Sequence, residues 1–300
     1  MKITKEPINP IYGNLNFLLK NCEGLILDIW GVLWDGIQIY PDAKNTLNYL
    51  KKHNIPVVLL SNAPRKSSIV RNKLENIGIT SNLYNEIISS GDVCKSYLIN
   101  QYPNKNKNKY FFIGLKEDND LLKDTQFIEV KSYKKADFIL LTGLRSFDDT
   151  PEEYVQELKK CISQQLPMFC ANPDKIIMRQ NGKKIFCAGA IANIYENLGG
   201  IVKSFGKPYN NVFFEAINCL KKIKPNLNLN NLSIIGDGLE TDILGGNDSN
   251  INTVLVTSGI LSHVFKTKYG EKPSIDLYNK TISSSKIIPN YAITKFKINS

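Results

Sequence analysis

A chain of 300 residues, 42% apolar and 22% charged, can bury a core of ordinary globular size, and its apolar runs fall far short of the ~20 residues that span a bilayer. Its formal net charge is +10, but the lysines are scattered among Asn and Ile. The densest run, Lys105 to Lys109, holds no arginine or aromatic, which argues for a solvated loop and against a nucleic-acid partner. The six cysteines form no Cys-x-x-Cys pair, which disfavours zinc and thioredoxin-like chemistry and fits a cytoplasmic protein with reduced, mostly buried thiols.

Met1 to Glu6 has no hydrophobic block behind it, so no signal peptide is expected. Residues 1 to 23 carry a modest amphipathic segment, Leu15 to Leu19, and little else. Leu25-Ile26-Leu27 is an apolar run that stops at Asp28, followed by Gly31 and Gly36; it reads as a buried parallel strand and a loop. Pro41 opens a helix with Leu47 and Leu50 on one face. A second strand, Val57 to Leu60, ends in Ser61-Asn62, and its helix carries Val70, Leu74 and Ile77 before Gly78 stops it. Ile87 to Gly91 reads as a third short strand and a turn.

From about Asp92 the rhythm restarts. Tyr110–Ile113 and Phe138–Leu141 are strand-like, and Thr150-Pro151-Glu152-Glu153 is a capping box before a helix with Leu158 and Ile162 inward. Pro167 to Cys170 is a further strand, and Ile191, Ile194, Tyr195 and Leu198 form a helical stripe closed by Gly199-Gly200. These βαβ units predict a second α/β domain over residues 92–200, inserted in a parallel-sheet core made of 1–91 and 201–300. The core resumes with a short strand before Phe205-Gly206-Lys207-Pro208 and a helix bearing Val212, Ala216 and Leu220. Leu232 to Gly236 is a strand ending at Asp237, with Asp242 opening a helix that ends at Gly245-Gly246. Asn252 to Val256 is one more strand. The tail after Lys266 is polar apart from Ile287 to Ile293, a last edge strand.

Ligands of open α/β sheets bind beyond the carboxyl ends of strands. Four such ends offer Asp28, Ser61-Asn62, Lys207, and Asp237 with Asp242. Two carboxylates at adjacent strand ends can hold Mg²⁺, a hard cation that takes oxygen ligands. The metal and Lys207 would neutralise a phosphoryl group, Ser61 and backbone N–H groups would bind its oxygens, and one carboxylate could attack phosphorus to give an aspartyl-phosphate. Asp242 could reach the metal through water or orient Lys207.

These stretches resemble the haloacid dehalogenase superfamily, in the class whose α/β cap follows the second motif, the class IIA or NagD-like phosphatases. Asp28-Ile29-Trp30-Gly31-Val32-Leu33, Leu60-Ser61-Asn62, Gly206-Lys207-Pro208 and Gly236 to Leu244 match the four motifs in order. Ala171-Asn172-Pro173-Asp174 and Gly189-Ala190 match within the cap. The resemblance covers about residues 20 to 295. It implies a Rossmann-like parallel core with an inserted cap, and Mg²⁺-dependent hydrolysis of a small phosphorylated metabolite, such as a sugar phosphate, through Asp28. It implies metal ligation by Asp28, Asp237 and the Trp30 carbonyl, and substrate selection by the cap, where Asn172, Asp174 and Arg145 are the candidates and Arg179 the weaker one. The oligomeric state stays open, a homodimer included.

One position departs from the pattern. The family's first motif is Asp-x-Asp, whose second Asp is the expected general acid, and this chain has Trp30 there. It is similar to a subgroup with Asp-x-Trp-Gly-Val-Leu. Losing a positioned acid costs roughly 10²–10⁴-fold for a poor leaving group. The alternative role is a weakly active relative that binds a phosphorylated ligand. Asp35, seven residues after Asp28, could substitute as acid or simply form the turn before Gly36.

Overall fold

The computed structural model describes residues 6–103, 107–178 and 184–299, and the chain divides into two compact units. The first comprises residues 1–60, 71–87 and 213–300; the second comprises 61–70 and 88–212. Among the described residues no helix is long and apolar enough to cross a membrane.

The first unit is built on a seven-stranded sheet in the order Ile11–Tyr12, Tyr291–Ile293, Asn252–Val256, Leu232–Gly236, Gly24–Asp28, Val57–Ser61 and Glu86–Ser89. The registered pairs are parallel. Gly24–Asp28 and Leu232–Gly236 sit side by side and are buried along their whole length, as continuous apolar runs in a doubly covered parallel sheet should be. The helix Ala43–Lys52 buries Ala43, Thr46, Leu47 and Leu50, the face expected from their spacing. Leu239, Ile243, Leu255, Phe265, Tyr278 and Ile282 form a further cluster of this unit's core.

Three elements differ from the sequence expectation. Ile11–Tyr12 pairs with Ala292 and Ile293, so the last strand is not the edge. Ile275–Ser285 is a helix where a polar tail was expected; Tyr278 and Ile282, four apart, are fully buried. The helix after Asp242 runs through Gly245-Gly246 to Asp248, and a Cβ at Gly246 would strike the side chains of Ile234 and Thr253 on the sheet below. Glycine there lets helix and sheet approach closely; it does not end the helix.

The second unit has a five-stranded parallel sheet, ordered Val202–Ser204, Met168–Cys170, Phe138–Leu141, Lys109–Ile113 and Ile128–Val130. Alternation splits its strands between two cores. Phe111, Ile113, Ile139 and Leu141 face Leu158, Cys161, Ile191 and Tyr195 on one side. Tyr110, Phe138 and Leu140 face Cys94 and Leu98 of the Ser90–Gln101 helix on the other. Val202–Ser204 belongs to this sheet through its pairing with Met168–Cys170, so the unit runs past the boundary expected at residue 200. That strand is three residues long and carries no signal of which neighbour it takes. Ser90 and Gly91, expected as a turn, are the first residues of a helix whose N-cap Ser89 accepts from the Asp92 N–H. Glu153 closes the predicted cap by accepting from the Thr150 N–H at 3.0 Å. Lys105 and Asn106 lie outside the described residues, and Lys109 opens a strand. All six cysteines are free thiols, four of them buried.

Candidate active site

In the first unit, Asp28 ends the Gly24–Asp28 strand and Asp237 follows its neighbour Leu232–Gly236. Adjacent parallel strands end side by side, so the two carboxylates converge, and Asp242 joins them from the turn after Asp237. One oxygen from each of the three lies within 4.8 Å of the others, and all three residues are buried. Each carboxylate is also oriented by the backbone. Asp28 Oδ1 accepts from the Ile29 N–H at 2.8 Å, and Asp237 Oδ2 from the Ile260 N–H at 2.6 Å. Asp242 Oδ2 accepts from the Gly238 N–H at 3.1 Å and the Thr241 hydroxyl at 3.3 Å. Three hard oxygen donors converging in a buried pocket fit a divalent cation such as Mg²⁺. Gly31, at φ +76°, passes so close to the Asp237 carboxylate that a Cβ would overlap it.

The chain after Asp28 folds into a short flap. The Gly31 N–H donates to the Trp34 carbonyl at 2.9 Å and the Tyr40 N–H to the Leu33 carbonyl at 3.0 Å. Asp35 Oδ1 accepts from both the Ile37 and Gln38 N–H groups at 2.8 Å, so this carboxylate holds the turn. Tyr40 stacks on Tyr269 with ring centroids 4.6 Å apart. Burial pushes its phenol pKa up, and the Asp237 and Asp35 charges add to the shift. The sequence reading passed over Tyr40 and the Ile260 N–H. Their contacts with this site come from chain packing, although Thr257-Ser258-Gly259 already marked a strand end.

The second unit gathers the other candidates. Ser61 follows Leu60, the register partner of Asp28, and its Oγ accepts from the Ala63 N–H at 3.2 Å. Asn62 is a clamp. Its Oδ1 accepts from the Lys207 N–H at 2.7 Å, and its Nδ2 donates to the Lys207 carbonyl at 3.1 Å and to Asp174 Oδ1 at 2.8 Å. The amide therefore positions the backbone of Lys207, whose side chain is buried, and ties it to Asp174. Asn172 Oδ1 accepts from the Asp174 N–H at 3.1 Å and shapes that turn. Arg145 lies apart, exposed, pairing with Glu157 at 2.8 Å with its guanidinium over the Tyr154 ring. Arg179 is outside the described residues.

The sequence model of the family described as haloacid dehalogenase-like hydrolase matches residues 25–128, and one described as HAD-hydrolase-like matches residues 204–277. The chain is 23% identical over 247 residues to the acid sugar phosphatase of Staphylococcus epidermidis, covering 82% of this chain and 90% of that protein. A haloacid dehalogenase-like family hydrolase from Brucella suis 1330 superposes with a TM-score of 0.81 at 24% identity, covering 94% of this chain and 98% of that one. NagD from E. coli K-12 does so with a TM-score of 0.66 at 21% identity, covering 91% and 96%. The α/β parallel-sheet fold expected from the sequence is the fold of these structures.

Proposed function

This chain belongs to the haloacid dehalogenase superfamily, and on that premise we propose that it is a phosphatase of small phosphorylated metabolites. The observation that carries the reading is the buried convergence of Asp28, Asp237 and Asp242 beyond the ends of two adjacent parallel strands. Three carboxylates in one buried pocket repel one another unless a cation balances them. Asp28, Asp237, the Trp30 carbonyl and Asp242 are the groups that would hold Mg²⁺, which when bound supplies positive charge for phosphoryl oxygens.

Asp28 is the nucleophile in this reading. Its Oδ1 is held by the Ile29 N–H, which leaves Oδ2 to attack phosphorus. Ser61 and Lys207 bind the phosphoryl oxygens, with Asn62 setting the Lys207 backbone. Asp174 and Asn172 contribute to substrate choice, and Arg145 is held in reserve because Glu157 already engages it. Relatives named acid sugar phosphatase make sugar phosphates the first class to test. A second reading, a weakly active binder of a phosphorylated ligand, is motivated by Trp30 at the place of the usual acid.

The test is phosphate release with Mg²⁺ from a panel of sugar, alkyl, aryl and acyl phosphates. Wild type is expected to release phosphate, and Asp28→Asn to lose at least about 10³-fold, as expected for removal of a nucleophile. Asp237→Asn is expected to weaken Mg²⁺ binding in calorimetry. Turnover that persists in Asp28→Asn overturns the phosphatase assignment; equal Mg²⁺ affinity in Asp237→Asn overturns the metal site.

A further inference from the structure

Trp30 is set between Asp28 and Gly31, two residues from the nucleophile and next to the glycine that rests on Asp237. Its indole is pinned from two sides. The Trp34 ring meets it edge-on, with centroids 4.7 Å apart, and Trp34 is itself buried beneath the Lys73 ammonium at 4.4 Å. Gly36 lies against its benzo ring: a Cβ there would meet ring carbons at 2.9 and 3.0 Å. A backbone bridge between residues 30 and 34 holds the two tryptophans in register. Yet Trp30 remains 37% exposed. A large aromatic clamped on two sides and open on the rest is a rigid platform at low entropy cost.

The flap offers no free carboxylate to replace the missing acid. Asp35 is its one acidic side chain, and Oδ1 of that group already accepts two backbone hydrogen bonds. A leaving oxygen departing near this flap therefore keeps its electron pair without a proton from Asp35. Groups that tolerate this are weak bases whose charge is delocalised, and delocalisation makes them planar.

We propose that the exposed part of the Trp30 indole is a stacking platform for a planar, conjugated leaving group, so that this chain prefers aryl, enol and acyl phosphates to alkyl phosphates. The inference rests on the phosphatase reading and narrows it. In the step itself Asp28 attacks phosphorus, and the bond from phosphorus to the leaving oxygen breaks with both electrons on that oxygen. The anion leaves across the indole and takes its proton from solvent. Water then opens the aspartyl-phosphate, returning Asp28 and inorganic phosphate.

Two measurements test it. Phenylphosphonate and methylphosphonate cannot be hydrolysed, so calorimetry with each in the presence of Mg²⁺ reads the platform alone. Phenylphosphonate is expected to bind about tenfold more tightly, the scale of one aromatic contact. Trp30→Phe should keep most of that preference and Trp30→Leu should lose it. Equal affinities in the wild type, or a preference untouched in Trp30→Leu, overturn the platform. Turnover is then measured across substituted phenyl phosphates and an alkyl phosphate. Rates should fall steeply as the leaving group becomes more basic, and Trp30→Asp should raise alkyl phosphate hydrolysis more than Trp30→Ala does. A flat dependence, or an equal gain with Ala and Asp, overturns the leaving-group preference. A phenylphosphonate preference in a protein that releases no phosphate would refute the phosphatase reading and leave the platform standing. Release of phosphate with no such preference would do the reverse.

Discussion

Both Nδ2 protons of Asn62 are donated, one to Asp174 and one to the Lys207 carbonyl, while Oδ1 takes the Lys207 N–H. Asn62→Leu keeps the size and strands all three partners. A buried polar group left unpaired costs about 1–3 kcal/mol, so this variant is expected to lose at least about 2 kcal/mol in urea unfolding. A loss under about 0.5 kcal/mol would mean that the clamp is absent in solution. Gly31 tests the other unit. Its φ of +76° costs an L-residue about 1–2 kcal/mol, and a methyl group would press on Asp237. Gly31→Ala is therefore expected to weaken Mg²⁺ binding as well as stability; unchanged Mg²⁺ affinity would refute the contact. The carboxylates themselves were legible, because an apolar run that stops at an acid is a one-dimensional pattern. The Ile260 N–H on Asp237 was not, since it lies 23 residues downstream and arrives there only through the fold.

At the scale of elements, long periodic segments could be read and short or locally polar ones could not. The Ala43–Lys52 and Asn210–Ile223 helices each repeat apolar residues at three and four. Ile275–Ser285 was missed because most of its residues are polar and only Tyr278 and Ile282 are fully buried. Its stability comes from packing on Leu239, Leu255 and Ala292, so Ile282→Ala is expected to cost about 2–5 kcal/mol. Ser274→Ala removes an N-cap whose bond to the Leu277 N–H is long, at 3.4 Å, and should cost only about 0.5–1 kcal/mol. If the two substitutions cost the same, tertiary packing is not what makes this helix. Strands of two or three residues, such as Ile11–Tyr12 and Val202–Ser204, hold too few side chains for alternation to register.

For the whole molecule, the buried thiols set a limit on alkaline stability. Burial pushes Cys161, Cys170 and Cys187 up to about 12 from an ordinary 9.0. A group whose pKa is raised in the fold contributes its full stability below the unfolded value. It loses that contribution as pH climbs from about 9 toward about 12, where the unfolded chain sheds the proton first. The urea midpoint should therefore hold from pH 6 to 8 and fall steadily above 9. A midpoint that rises over that range would contradict the burial. Composition and hydrophobic period alone determined the α/β class, the strand-end acids and the return of βαβ rhythm in the middle of the chain. They suffice there because burial on both faces of a parallel sheet forces continuous apolar runs. Only the tertiary structure decided which sheet takes Val202–Ser204, that Asn62 holds Lys207, that Asp35 holds a turn, and that the Trp30 indole is clamped yet open. Each of those depends on groups far apart in the chain meeting at hydrogen-bond or van der Waals distance, and no periodicity in one dimension encodes such a meeting.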